Sequence, residues 1–397
     1  MNLHTKYGKT KLYDQPLYMN PRSTEEVFPV KAIDDSGIFT LNNGKYSKSF
    51  VLSDINFAGV TDMEQKTIII NFSKVLNSVN CRFSYTVANE YVDKNSFSNR
   101  ILYKKHNDDM DDLCDAFNEV INEKVTDAKQ GLYQTIYFTL TVDANNIRDA
   151  KNMFSSIEAT LSSSLVQIGI NGMAGSTLEP ISINQRMQTW FNFTHSGIMT
   201  NYKFDLQECI RHNKNWIDVI SPETISFYND YFVMNGKQYG RVMYISKHAQ
   251  SLESDTIAEL AKINSTNYIT INNELLDLSG YKQEITRKHS SVGLQIEREK
   301  KRNRDNHDFL ADANDKLLSE KDSLIKLSRQ VESGDDHFFN TTIMIMFLAK
   351  SMQELDEITE QIIAVGGVKS FEVKPCFHMQ RQGINSTFMF GTQEFKR

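Results

Sequence analysis

The sequence predicts an α+β protein built from two repeated hairpin-α-β-α-β-α units with mixed or antiparallel sheets. The order of predicted elements in the first part of the chain returns about 190 residues later. Each copy opens with two short apolar runs around an Asn-Gly pair, and each ends with an apolar strand, a polar turn and an amphipathic helix. A long helical region between strands of the second copy adds a coiled-coil-like projection.

The repeat divides the chain into four parts. We assign an extended arm to residues 1–28, a first unit to 29–175, a connector to 176–228 and a second unit to 229–397. The match rests on order and spacing rather than on identity. One irregular α+β domain is therefore the alternative.

An Asn-Gly pair predicts a β-hairpin at the start of each unit. Asn43 and Gly44 separate GIFTL from KSFVL, while Asn235 and Gly236 separate DYFVM from QYGRVMYI. Asn-Gly accepts the positive φ values of a tight primed turn, and we expect this turn in both hairpins.

Apolar periodicity predicts the remaining elements. In the first unit these are a helix carrying Ile68 to Val79, a strand at 81–87, a helix at 109–125, a strand at 134–142 and a helix at 146–161. In the second they are a helix at 255–263, a strand at 268–271, helical residues 280–331, a strand at 339–348, a helix at 352–363 and a strand at 370–373.

The helical region 280–331 has a seven-residue repeat typical of a short coiled-coil seam. Its spacing indicates a helical hairpin that turns near Asn303 to Asn306. The alternative is an amphipathic helix packed on its own sheet. The repeating residues are Leu310, Leu317, Leu324 and Val331, with Ala313 and Leu327 between them.

Bulk composition limits the classes of protein. Hydrophobic residues make up 40% and charged residues 24%, as in ordinary folded domains. The net charge of −6 disfavours general nucleic-acid binding. Four scattered cysteines indicate a reducing compartment. We find no signal peptide and no apolar run near the roughly 20 residues that span a bilayer. We therefore expect a cytoplasmic protein, peripheral at the inner face of the membrane.

Motifs for catalysis and metal binding are missing. No glycine-rich loop ends in Gly-Lys-Ser/Thr after a strand, and the glycine-rich Gly169 to Thr177 has no lysine. The acidic stretch from His106 to Cys114 suits the start of a helix better than a metal site. Cys376 and His378 are interpreted as packing residues. We predict no catalytic, cofactor-binding or metal-binding residue in this chain.

One basic cluster is a candidate contact site. It falls on the predicted helical hairpin and alternates with Glu297 and Glu299. A solvated helix tip explains it most simply, because charges of mixed sign are common on exposed helices. Contact with an acidic partner or acidic lipid headgroups is the functional interpretation. The cluster consists of Arg298, Lys300, Lys301, Arg302 and Arg304.

Three segments resemble the CagE/TrbE/VirB-type conjugative ATPases, in the form carried by mobile elements of Gram-positive bacteria. The resemblance extends from about Leu17 to the end of the sequence and concerns scaffold motifs. The segments are LYMNPRSTEEVFPVKAIDDSGIFTLNNGKYSKSFVLSDINFA, FDLQECIRHN followed by WIDVISPETISFYNDYFVMNGKQYGRVMYI, and FMFGTQEFK.

The resemblance implies a role in type IV secretion, the conjugal transfer of DNA. The similar region of that family precedes an ATPase domain, so ATP and Mg²⁺ are expected only in a C-terminal domain missing here. This implies that the chain is a fragment of an ATPase, with a natural truncation as the other explanation. Its implied role is assembly and docking on inner-membrane channel proteins, with self-association into a homo-oligomer as a further expectation. A module that handles single-stranded nucleic acid through 298–304, or an adaptor, is the alternative.

Overall fold

The computed structural model confirms the α+β class, with helices packed on one antiparallel sheet of twelve strands. The residues that the structure describes are 21, 23–53, 55, 57, 59–91, 111, 113–119, 132–168, 175–196, 202–248, 252–253, 255–305, 314–333 and 337–396.

The strands fall into two groups along the chain. Those of the first unit are β1 Val30–Ile33, β2 Ile38–Leu41, β3 Tyr46–Leu52, β4 Arg82–Tyr91, β5 Leu132–Val142 and β6 Leu178–Pro180. Those that follow are β7 Ile225–Phe227, β8 Phe232–Met234, β9 Gln238–His248, β10 Thr266–Leu275, β11 Phe339–Ala349 and β12 Phe371–Pro375.

Helices lie on both faces of this sheet. They are α1 Asp62–Asn77, α2 Ile147–Val166, α3 Ile183–Thr194, α4 Leu206–Arg211, α5 Trp216–Ile220, α6 Thr256–Ala261, α7 Leu278–Asp305, α8 Asp315–Ser333, α9 Met352–Val368 and α10 Gln380–Thr387. A 3₁₀ turn at Glu25–Val27 precedes β1, and residues 111 and 113–119 are also helical.

Polar caps fix where several helices begin. The side chain of Asn146 accepts a hydrogen bond from the backbone N–H of Asp149 at the start of α2, and Ser351 does the same for Glu354 in α9. Ser182 and Gln185 form a reciprocal capping box at α3. These side chains satisfy N–H groups that have no partner within the helix.

The two units have the same topology. Each unit contains four strands and two helices in the order β-α-β-β-α-β. The fourth of these strands pairs with the first. The spatial orders are β6-β3-β5-β4 and β12-β9-β11-β10, which is the split βαβ arrangement of ferredoxin-like units. Strand β6, at 178–180, completes the first unit from within the segment that the sequence assigned to the connector.

The units join through their second strands, so that one sheet runs through both. Strands β4 and β10 pair antiparallel, with Thr86 opposite Thr270 near the middle of the ladder. The hydroxyl oxygens of these two threonines lie 3.0 Å apart. Joining two edges in this way removes two rows of unpaired backbone groups.

The two Asn-Gly hairpins close differently, which corrects one prediction. In the second, Asn235 and Gly236 both have positive φ, at 51° and 66°, as a primed turn requires. In the first only Gly44 does, with φ of 78°, and its N–H donates to the carbonyl of Leu41. This is an ordinary turn followed by a left-handed glycine, in a loop of three residues between Leu41 and Lys45.

One face of the sheet is apolar in both units. In the first unit, α1 and α2 cover Phe50, Phe83, Phe138 and Leu140. In the second, α6 and α9 cover a separate cluster that includes Phe347. Burial of these large side chains stabilises each unit by the hydrophobic effect.

The opposite face of the first unit carries buried hydroxyl groups, and a C-terminal segment covers it. We call residues 386–396 the strap; it follows the first turns of α10. Its backbone carbonyls accept hydrogen bonds from the sheet: Ser47 to Phe390 at 2.6 Å, Thr141 to Gly391 at 2.7 Å, and Asn272 to Ser386 at 2.7 Å. Buried polar groups need partners, and here strap and sheet supply them to each other.

Arg186 holds α3 against both the sheet and the strap. Its guanidinium donates to the carbonyls of Gly37, Ser47 and Met389 at 3.0, 2.8 and 2.9 Å, and to the hydroxyl of Ser47 at 2.9 Å. The ring of Phe39 lies 3.6 Å from its central carbon. Burial lowers the pKa of Arg186 well below its ordinary value. The charge is stabilised by oxygen dipoles and an aromatic face.

We expect Arg186→Met to lower the free energy of unfolding by about 3 kcal/mol, because it removes charged donors from buried carbonyl groups. Urea denaturation measures the change. Arg211→Met, at an exposed position of α4, is the matched control and should change stability by under about 0.5 kcal/mol. Equal effects would contradict the role given to Arg186.

Gly391 should tolerate a side chain less well than Gly44, although both have positive φ, at 84° and 78°. A Cβ at Gly391 would lie 2.5 Å from Oγ1 of Thr141, whereas one at Gly44 has nothing within 4 Å. We expect Gly391→Ala to cost about 3 kcal/mol and Gly44→Ala about 1 kcal/mol of unfolding free energy. Denaturation of both variants checks this, and equal losses would rule out close packing of the strap.

Candidate partner-binding surface

Helices α7 and α8 form an antiparallel hairpin inserted between β10 and β11. At its base, Leu276 donates a backbone hydrogen bond to Phe338, and the rings of Tyr281 and Phe338 lie 6.3 Å apart. The α7 helix has 28 residues and is therefore about 42 Å long. The hairpin predicted for residues 280–331 is confirmed.

A small apolar seam holds the two helices together. Val292 and Ile296 are buried in it, and Leu317, Leu318 and Leu324 of α8 pack against them. The seven-residue spacing therefore marks a seam between the helices. Val331 is buried and Leu327 half-buried, whereas Leu310 and Ala313 lie outside the described residues.

The tip of the hairpin differs from the prediction in one respect. Helix α7 continues through Asp305, so that most of the predicted turn at 303–306 is still helical. On the α8 side, the backbone N–H of Asn314 donates to the carboxylate of Glu299 at 3.0 Å. The side chain of Asn314 accepts from the N–H of Lys316 at 2.9 Å and caps the start of α8.

All five predicted contact residues lie on the last two turns of α7, but they do not share one face. With Val292 and Ile296 turned toward α8, the helical repeat of 3.6 residues places Arg298 and Lys301 on the outer side. Lys300 lies on a flank closer to the seam. Arg298, Lys300, Lys301 and Arg302 are exposed, and Arg304 belongs to the final turn.

The outer side of α7 also exposes an apolar residue. Leu294 is 54% exposed and lies one turn before Arg298. We call Leu294, Arg298 and Lys301 the outer stripe, since they follow one another at spacings of four and three residues. A Leu beside two cations offers both an apolar contact and a charge to a partner.

The charge of α7 differs from that of the chain. The helix contains eight Lys or Arg residues against four Asp or Glu, whereas the whole protein has a net charge of −6. Helix α8 has four of each. Cations near a helix C-terminus also interact favourably with the helix dipole. The hairpin is therefore locally basic because of α7.

The remaining sequence candidates do not form a site. Most of the acidic stretch 106–114 and residues 169–174 of the glycine-rich loop lie outside the described residues. Cys376 is buried, as expected of a packing residue, and burial raises the pKa of its thiol. His378 is exposed, so its interpretation as a packing residue is wrong. The chain turns there with φ of 56°.

Two features escaped the sequence analysis. Arg186 lies in the segment that the sequence assigned to a connector, and only the fold places it on a helix and surrounds it with carbonyl groups. The acidic outer side of α9, with Glu357 and Glu360, could have been found from the helical spacing of its acids. Within the part of the chain that the structure describes, no group of three or more His, Cys, Asp or Glu could hold a metal ion.

No model of a known protein family matches the chain, and no curated protein matches its sequence. None of the helices in the described ranges combines the length and apolar character needed to cross a bilayer.

Proposed function

We propose that this chain is the non-catalytic assembly and docking region of a conjugative type IV secretion ATPase. In this role it contacts inner-membrane channel proteins from the cytoplasmic side and holds the motor at the membrane. ATP and Mg²⁺ belong to another domain of the parent enzyme. The observation that carries the proposal is the helical hairpin, whose basic outer stripe faces away from its own partner helix.

The segments that resemble the secretion ATPases form parts of the sheet and of the elements packed on it. The first supplies β1 to β3, the second supplies α4 to β9, and the third is part of the strap. Together they supply the strands at both ends of the sheet, and the hairpin emerges from its middle, between β10 and β11. Their position supports a role in which the sheet is a rigid base and the insertion makes the contact.

The hairpin suits docking because two helices brace each other. The seam of Val292, Ile296 and Leu317 limits bending, so that little conformational entropy is lost on binding. Basic side chains at its end accelerate encounter with an acidic surface. Capture of an acidic cytoplasmic segment of a channel protein follows from this chemistry.

Binding of single-stranded DNA has less support. Proteins that hold single strands without sequence preference stack bases on aromatic side chains beside a basic groove. The outer stripe contains Leu294, Arg298 and Lys301 and no aromatic residue. Salt-dependent retardation of a single-stranded oligonucleotide, lost on reversal of the stripe, would establish the alternative.

We expect the double variant Arg298→Glu, Lys301→Glu to lower recovery of channel proteins by about tenfold or more, because like charges then face the acidic partner. The measurement is affinity capture with the full chain from conjugating cells, followed by mass spectrometry. Lys326→Glu, on an exposed position of α8, is the control and should capture normally. Absence of every channel component from the wild-type eluate would refute the proposal.

A further inference from the structure

The outer side of α9 carries acidic and apolar residues in a fixed order. Leu355, Ile358 and Ile362 turn the opposite side of the helix into the core. Along the exposed side, acids occupy the first half and apolar residues the second. In chain order the acidic and apolar ones among the exposed residues are Asp356, Glu357, Glu360, Ile363, Ala364, Gly367 and Val368, with the exposed Gln353 before them and Gln361 between the two halves.

The apolar half of α9 is exposed to an unusual degree for a helix that packs on a sheet. Ile363 is 52% and Val368 80% exposed. Single exposed apolar side chains are normal, but these two flank Ala364 and lie directly beside the acidic half. The surface therefore combines an apolar contact with negative charge.

The outer stripe of α7 has the complementary order. Its apolar Leu294 comes first and its cations Arg298 and Lys301 follow. On α9 the acids come first and the apolar residues follow. When two such helices lie antiparallel, apolar meets apolar and positive meets negative.

The spacing agrees as well as the order. Four residues separate Leu294 from Arg298, and four separate Ala364 from Glu360. Three residues separate Arg298 from Lys301 on α7, and three separate Glu360 from Glu357 on α9, where the count runs in the opposite direction. Residues spaced by three and four lie on one side of a helix, so all three pairs can form together.

We propose that α7 of one copy of this protein packs antiparallel on α9 of a second copy. Leu294 then lies on Ala364 between Ile363 and Val368, while Arg298 faces Glu360 and Lys301 faces Glu357. The inference deepens the proposed assembly role, on which it rests, by adding a second copy of the chain to the channel proteins as an occupant of the outer stripe. Opposite charges set the register, and the apolar contact excludes water between the helices.

A second copy fits these observations better than an anionic surface. A lipid bilayer or nucleic acid would use only the cations of α7. Neither would make use of the acidic and apolar side of α9. Because α7 and α9 are different surfaces, the contact is heterologous, and its repetition gives a ring or a chain of copies.

The test is sedimentation velocity of the purified full chain over a range of concentrations at low salt. We expect the wild type to associate above the mass of one chain. We expect two double variants each to weaken association by about tenfold or more. One is Arg298→Glu, Lys301→Glu, and the other is Glu357→Lys, Glu360→Lys. Lys326→Glu, Arg329→Glu, at two exposed positions of α8, is the charge-matched control and should associate as the wild type does.

Mixing the two double variants is the decisive step. Each then meets opposite charges on the other, so association should return, which a loss of folding could not produce. A wild type that stays monomeric, or a mixture that fails to associate, overturns the inference. Binding to phosphatidylglycerol vesicles that is lost only on reversal of α7 would also overturn it, in favour of a lipid surface. Capture of channel proteins does not depend on this result, so the two proposals can fail separately.

Discussion

A buried guanidinium group joins parts of this protein that lie far apart in the sequence. Arg186 on α3 reaches Gly37 and Ser47 near the start and Met389 near the end, and every oxygen that accepts from it belongs to a carbonyl or a hydroxyl. Removing a cation from water is costly, and the four acceptors around the two terminal nitrogens of Arg186 offset part of that cost, while its Nε has no partner. The position of α3, and with it the apolar cluster around Trp190, depends on this contact.

The need of buried polar groups for hydrogen-bond partners also explains why the face of the first unit that meets the strap is polar. Strands β3 and β5 alternate large apolar residues, which face α1 and α2, with Ser and Thr residues, which face the strap. A second layer of regular helix could not accept hydrogen bonds from those hydroxyl groups, because its carbonyls are already paired. The last turn of a helix and an irregular segment both have free carbonyls. The strap, which is the end of α10 followed by an irregular segment, is therefore suited to its place.

The shared topology places the end of β4 and the end of β10 at opposite edges of one sheet. Strands β4 and β10 run antiparallel, so the chain leaves the sheet after Tyr91 at one end and after Leu275 at the other. The segment after Leu275 is the α7–α8 hairpin, which has an apolar seam of its own. Surface contacts can consequently change in the hairpin without disturbing the cores of the two units. This separation supports the proposed docking role.

The sequence by itself determined most of the strands and helices of the two units and their order, but not the short strands β1, β6 and β7 or the helices α3, α4, α5 and α10. Period-two and period-3.6 patterns identified strands such as β5 and helices such as α9, because local side-chain periodicity records which face is buried. The repeated order of these elements predicted an α+β fold of two similar units. The basic residues of α7 were also visible in it. Only the tertiary structure decided the pairing of β4 with β10, the burial of Arg186 and the side of α7 on which each cation lies. The strand pairing and the burial of Arg186 depend on contacts between residues more than a hundred positions apart. The side of α7 on which a cation lies depends on which side of the helix meets its neighbour. Local spacing in the sequence records neither kind of contact.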